Sequence, residues 1–409
     1  MPPPARDPRI RAAEQALHEL GISGSAEIGG HEGEILVLQV AHHAWEGLLD
    51  EEAIRVADRM KALGFRYVAL DFAPNGAMEP PVYLDYAATS AVRPEAVVDA
   101  VAAYLRDIGA TPGRAGHRRA LDAGRVMLRC RRVLAELLCI PGDPGRIAFQ
   151  FNATHALNTA IFGLLRPGDR VVRTAYDHNS VRRPIAALLS RGVQETVLAG
   201  SPGGEIDLAE AERALLGTGM AARLLVLPHA SNVLGTVLPV AELAKLARAA
   251  GTLVLLDAAQ TVGHLPVDAT RLGVDLLAFT GHKGLLGPQG TGGLWVREGV
   301  DVVPLLYGGT GGESWPAEMP AALPDRLEAG TQNAPGFAGL LAGAQWVAER
   351  GVQALHGHTH RLKAKLRSGL RDLPGVTLRS PAAPEGVGIV TLTVQGIDSA
   401  TLAGRLDRE

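Results

Sequence analysis

One lysine of this chain stands where an amine could react. The sequence holds five lysines: Lys61, Lys245, Lys283, Lys363 and Lys365. Four fall on stretches with amphipathic helical spacing, where a lysine reads as part of a solvated face. Lys283 alone follows a short apolar run, residues 276–279, and sits among Gly281, Gly284, Gly287 and Gly290. Glycines let backbone approach a ligand closely. An amine so placed could form a Schiff base with a carbonyl compound.

Other polar groups fall at comparable places. Asp257 ends the apolar run 253–256 and leads into Ala258-Ala259-Gln260. A buried carboxylate is costly unless it meets a positive charge or good donors. A protonated pyridine nitrogen would be such a partner, and the pairing would keep that ring an electron sink; the other reading of Asp257 is a cap on the turn that follows. His229-Ala230-Ser231-Asn232 follow the run 224–227, and Thr280-Gly281-His282 precede Lys283. Three polar clusters in series at strand ends indicate a site. The segment from Phe149 through Asn152-Ala153-Thr154-His155 runs from strand to helix. Backbone N–H groups at a helix start, with the Thr154 hydroxyl, would suit a phosphate, or the segment is an ordinary helix cap. His178 could stack on an aromatic ring or be a surface-loop histidine.

These residues need a scaffold. Residues 146–151, 170–173, 223–227, 252–256 and 276–279 read as strands, with a helix at 239–250 between two of them. The alternation predicts an α/β fold with a mostly parallel sheet, helices on both faces, and ligands beyond the carboxyl ends of the strands. Residues 8–70 read as a separate small α/β module, with helices at 11–20 and 50–63 and strands at 34–40 and 67–70. Proline and glycine near 74–81 set a boundary. Beyond 337 a long helical stretch precedes a strand at 388–394 and a helix at 399–408. The expected division is 1–80, 81–336 and 337–409.

Composition narrows the function. Forty basic residues against 43 acidic ones give a net charge of −3, so nothing points to nucleic acid or an anionic membrane. No apolar run approaches a membrane span, and the first residues lack the pattern of a signal peptide. Cys130 and Cys139 are the two cysteines. Both fall on an expected helix from about 118 to 138 and read as buried packing, so neither a disulfide framework nor a metal site is expected, and the cytoplasm is the expected compartment.

Taken together, several segments resemble a known family. They are Tyr83-Leu84-Asp85-Tyr86-Ala87-Ala88-Thr89, residues 229–235, residues 257–260, residues 280–290 and Glu328-Ala329-Gly330-Thr331-Gln332-Asn333. In that order, over about 82–409, they resemble the class V aminotransferase fold. More specifically, they resemble the cysteine desulfurases of the Suf-like group and their selenocysteine lyase relatives. The resemblance implies a fold-type I enzyme that carries pyridoxal 5′-phosphate on Lys283. Asp257 would pair with the pyridine nitrogen, and Gln260 and Asn232 would lie near the phenolic oxygen. His178 would stack on the ring, and Ala153, Thr154, Thr280 and His282 would bind the phosphate. Thr331 would reach the phosphate of a neighbouring subunit in a homodimer. The implied substrate is L-cysteine, whose sulfur leaves as a persulfide with L-alanine remaining, and a sulfur-acceptor protein would follow. Another reaction on the same fold (selenocysteine lysis, epimerisation, β-elimination or transamination) and a cofactor-binding docking protein are the alternatives.

The chain also departs from the pattern. Asn152 stands where the family usually has glycine, and His155 where it often has glutamate. The family's carboxylate-binding arginine and persulfide-forming cysteine belong to a loop after the position of Glu409, so the small domain is expected to be truncated here. Residues 8–79 resemble, more weakly, the C-terminal domain of LarE-type sulfur transferases. That likeness rests on Arg9-Ile10, Leu20-Gly21, the stretch 63–71 and Gly76-Ala77-Met78. It implies part of a sulfur-transfer protein that keeps the fold without an ATP site; the preferred reading of the module is a docking or oligomerisation domain.

Overall fold

The computed structural model describes residues 7–22, 24–29, 33–40, 51–71, 82–113, 116–201, 203–311, 317–381 and 386–407. Two compact units emerge, Met1–Leu84 and Asp85–Glu409. In the first, helix α1 (Pro8–Glu19) is followed by strands β1 (Gly24–Gly29) and β2 (Ile35–Val40), helix α2 (Glu51–Ala62) and strand β3 (Tyr67–Asp71). β1 pairs antiparallel with β2, and β2 parallel with β3. Ala13, Leu17, Leu36, Leu38, Met60 and Phe65 form its core. Asp7 caps α1, and Pro8 starts it where a missing N–H costs nothing. The boundary expected near residue 80 lies outside the described residues.

The second unit is built on a seven-stranded sheet. Its strands are β4 (Ile147–Gln150), β5 (Arg170–Thr174), β6 (Gln194–Leu198), β7 (Leu224–Pro228), β8 (Leu253–Asp257), β9 (Leu276–Thr280) and β10 (Gly292–Val296), in the order β4-β10-β9-β8-β7-β5-β6. β10 runs antiparallel to both of its neighbours, and the other pairings are parallel. The central strands β7, β8 and β9 are almost wholly apolar because both of their faces are covered. Leu255, Leu276 and Ala278 join one core, and their neighbours Leu256, Leu277 and Phe279 the other.

The helices of this unit are α3 (Glu95–Ala103), α4 (Arg118–Leu137), α5 (Ala153–Leu164), α6 (Asn179–Leu189), α7 (Leu208–Leu216), α8 (Val240–Ala249), the short α9 (Ala269–Leu272), α10 (Ala334–Arg350), α11 (Val352–Arg371) and α12 (Ser399–Leu406). α5 and α6 supply Ala156, Ile161, Val181 and Ile185 to one face, and α4, α8 and α10 supply Leu134, Leu243 and Leu340 to the other. Strands β11 (Val376–Leu378) and β12 (Leu392–Val394) form a separate antiparallel pair. Among the described residues, no helix is long and apolar enough to cross a membrane.

Two readings of the sequence need correction. The strand expected at 388–394 is regular only over Leu392–Val394; before it, Gly386 and Val387 pair with the turn around Gly235, and the Ile389 N–H turns back to Val387 O. Cys139 is not a buried helix residue. It lies past the end of α4, exposed, with a φ of 49°, while Cys130 is fully buried within α4.

Candidate active site

Register brings the carboxyl ends of four strands to one rim. Pro228 pairs with Asp257, Asp257 with Ala278, and Gly292 with both Thr280 and Gln150. The turns leaving these strands enclose a cavity of about 460 Å³. Ala153, Thr154, His178, Asn232, Asp257, Gln260, Thr280, His282 and Lys283 all line it. Thr331 does not. It is exposed on the segment before α10, outside this cavity. Asp85, Ala87, Ala88, Asn152, Ser180, Pro228, Ala230 and Ala259 complete the lining. Of these, Ser180 and Ala259 carried no chemical signal in the sequence and enter only because their neighbours hold them there.

Local structure explains how each group is held. Lys283 lies in a turn pressed from two sides. A Cβ on Gly284 would overlap the Val262 carbonyl, and one on Gly281 would overlap the Thr291 hydroxyl, so both positions require glycine. The segment after Asp85 laces onto this turn from above. Ser90 N–H donates to His282 O at 3.0 Å, Ser90 Oγ donates to Lys283 O at 2.9 Å, and His282 Nδ1 lies 3.0 Å from Thr89 Oγ1. Gln260 Nε2 donates to Ala87 O at 3.1 Å, tying the β8 turn to the same segment. His178 caps α6, accepting the Ser180 N–H at 3.2 Å with Ser180 Oγ 2.8 Å from the same nitrogen, which pins the ring. Asn152 caps α5 by accepting the His155 N–H at 2.9 Å.

The electrostatics are those of charged groups withdrawn from water. Burial lowers the Lys283 pKa against the pull of the Asp257 and Asp85 carboxylates. Burial raises that of Asp257, although the Ala259 N–H, 3.0 Å from Oδ1, and the nearby Lys283 and His178 favour its charge. Asp257 is therefore both a turn cap and a buried carboxylate facing the cavity. Burial, then the Lys283 and Arg93 charges, lowers His282. His229, part of the polar cluster after β7, lies beneath the floor rather than in the lining. Burial pushes it down to about 4, and its Nδ1 sits 3.1 Å from Thr261 Oγ1, so it is a neutral structural group.

Among the described residues, Thr280 Oγ1 is buried without a hydrogen-bond partner while lining the cavity. It lies at the same rim as the first turn of α5, where helical N–H groups lack partners within the helix. An anionic oxygen would satisfy both. The arrangement thus offers an amine, a carboxylate and an anion cradle around one volume. Among the described residues, no group of three or more His, Cys, Asp or Glu side chains could hold a metal ion.

Known proteins share this architecture. The aminotransferase class-V family model matches residues 82–409. A probable cysteine desulfurase from Pyrococcus abyssi is 33% identical over 337 residues, covering 80% of this chain and 82% of that protein. One from Methanothermobacter thermautotrophicus is 34% identical over 332 residues, covering 80% and 81%. The apo structure of cysteine desulfurase from Thermococcus onnurineus NA1 superposes with a TM-score of 0.73 at 31% identity, covering 80% of this chain and 82% of that one.

Proposed function

This chain belongs to the aminotransferase class-V family, and on that premise we propose that it is a pyridoxal 5′-phosphate-dependent cysteine desulfurase. The observation that carries the reading is the cavity in which Lys283, its pKa lowered by burial, shares one volume with the buried Asp257 and the first turn of α5. The residues fit the cofactor. Lys283 would hold it covalently, Asp257 would face the ring nitrogen, and His178 would cover the ring. Gln260 and Asn232 would meet its polar edge. Ala153, Thr154, Thr280 and His282 would take the phosphate, using the unspent Thr280 hydroxyl. When bound, the cofactor withdraws electrons from the substrate's α-carbon.

The chain's own contribution is placement and proton movement. An amine with a lowered pKa is neutral in a larger fraction of molecules, so Lys283 can attack a carbonyl and later take the proton from the α-carbon of L-cysteine. Overall, cysteine and an acceptor thiol become alanine and a persulfide. A homodimer in which Thr331 reaches the partner's phosphate, a sulfur-acceptor protein, a cytoplasmic location, and a docking role for the N-terminal module at 1–80 belong to the same reading.

A second reading is another amino-acid transformation on this fold. One observation favours it: neither Cys130 nor Cys139 lines the cavity. Product analysis separates the two. Alanine formed in step with persulfide or sulfide supports the desulfurase, and its loss in Lys283→Ala ties it to this cavity. Pyruvate, racemised cysteine or transfer of the amino group supports the second reading.

A further inference from the structure

α11 turns one of its lysines inward. Lys363 is 7% exposed, contrary to its reading as part of a solvated helix face, and its Nζ donates to Val387 O at 3.0 Å. Burial, then the charge of Arg367, lowers its pKa. A side chain needed for packing alone would cost less there as methionine, since a buried ammonium gives up its hydration. Lys363 contributes nothing to the cavity lining.

What it holds connects to that lining. Val387 N–H donates to Gly235 O at 3.0 Å, and Gly386 bridges to Thr236. Gly235, at φ +74°, closes the turn begun by Ser231. Ser231 Oγ accepts the N–H groups of Val233 and Leu234 at 3.2 and 3.1 Å, and Gly235 N–H donates back to Ser231 O at 2.9 Å. Thr391 Oγ1 adds a hydrogen bond to Val233 O. Asn232 lies inside this turn and lines the cavity. A Cβ on Gly386 would stand 2.6 Å from Lys363 Nζ and 2.7 Å from Gly235 O, so amine, segment and turn meet with no spare room.

We infer that Lys363 is a positioning residue for Asn232: its amine draws the Val387 peptide onto the Gly235 turn and so fixes the turn that presents Asn232 to the cavity. A hydrogen bond from a charged donor is among the stronger ones available, which suits a clamp between a helix and a distant turn. Only the kinetic part of the test rests on the desulfurase reading.

The test uses the full chain. Hydrogen exchange is measured first without cofactor on Lys363→Met, Lys363→Gln and Gly386→Ala. In Lys363→Met, exchange across 231–237 rises about tenfold or more, the net effect of losing one hydrogen bond from a charged donor, while 253–260 keeps its wild-type rate. Lys363→Gln, which keeps a donor, falls between. Gly386→Ala reproduces the effect, and the double variant is no worse than the larger single one, because both break one junction. With cofactor supplied, the KM for L-cysteine rises about fivefold in Lys363→Met while kcat stays within about twofold. Unchanged exchange at 231–237 overturns the inference, as does an equal rise at 253–260, which marks general loosening. If Lys363→Met does not fold, Lys363→Gln and Gly386→Ala decide by the same criteria. A wild-type chain that makes no alanine defeats the desulfurase reading and leaves the exchange result standing.

Discussion

The regions around the half-buried Lys283 and the buried Lys363 treat an amine withdrawn from water in opposite ways. Lys283 faces the Asp257 and Asp85 carboxylates across an open volume, and their attraction offsets part of the cost of burial. Lys363 faces a backbone carbonyl, and the nearby Arg367 adds to that cost. A third cation, the buried Arg131, is matched directly. It pairs with Glu328 at 2.5 Å, donates to Ile147 O at 3.0 Å and lies over the Phe149 ring. The comparison separates three uses of one charge. Beside a cavity and carboxylates it is available for chemistry, against a carbonyl it clamps, and inside a closed ion pair it locks.

The contrast can be broken most completely at Lys283. Lys283→Ala is expected to lower alanine formation by about a thousandfold or more while leaving the thermal midpoint within a few degrees, since the cavity side loses only a buried charge. The next effect is at its partner. Asp257→Asn keeps an acceptor for the Ala259 N–H but removes the charge, and a loss of about a hundredfold in kcat is expected from steady-state kinetics. Arg131→Leu should leave activity per folded molecule nearly intact and instead destabilise the fold by about 3 kcal/mol, read by urea unfolding, because Glu328 stays buried without its cation.

The smallest effect sharpens the comparison through pH. The folded chain holds Lys283 and Lys363 below the ordinary 10.5, so the unfolded chain binds more protons between the folded values and 10.5. Stability of the cofactor-free chain should therefore rise with pH through that window. Lys363→Met should flatten part of the rise, and an unchanged slope in urea titrations would assign the effect to other groups.

Much of this arrangement was legible along the chain because its signals are local. Asp257, Thr280 and Lys283 each follow an apolar strand directly, so strand ends and loop chemistry could be read in short windows. Strands β6 and β10 were not legible. β6 is a half-exposed run with charge in it, and β10 begins with Gly292-Gly293, which weaken a strand pattern although the strand lies fully buried between β4 and β9. β1, with its two glycines and a glutamate, was hidden in the same way.

The sequence by itself determined the alternating strands and helices, the family likeness and the groups gathered at the rim, because each depends on residue type and near spacing. Tertiary structure alone decided that Lys363 is buried, that His229 is a neutral strut beneath the floor, and that Cys139 is exposed past its helix. Those outcomes depend on which distant segment packs against a side chain, and with it on local solvation, which no window of neighbouring residues records.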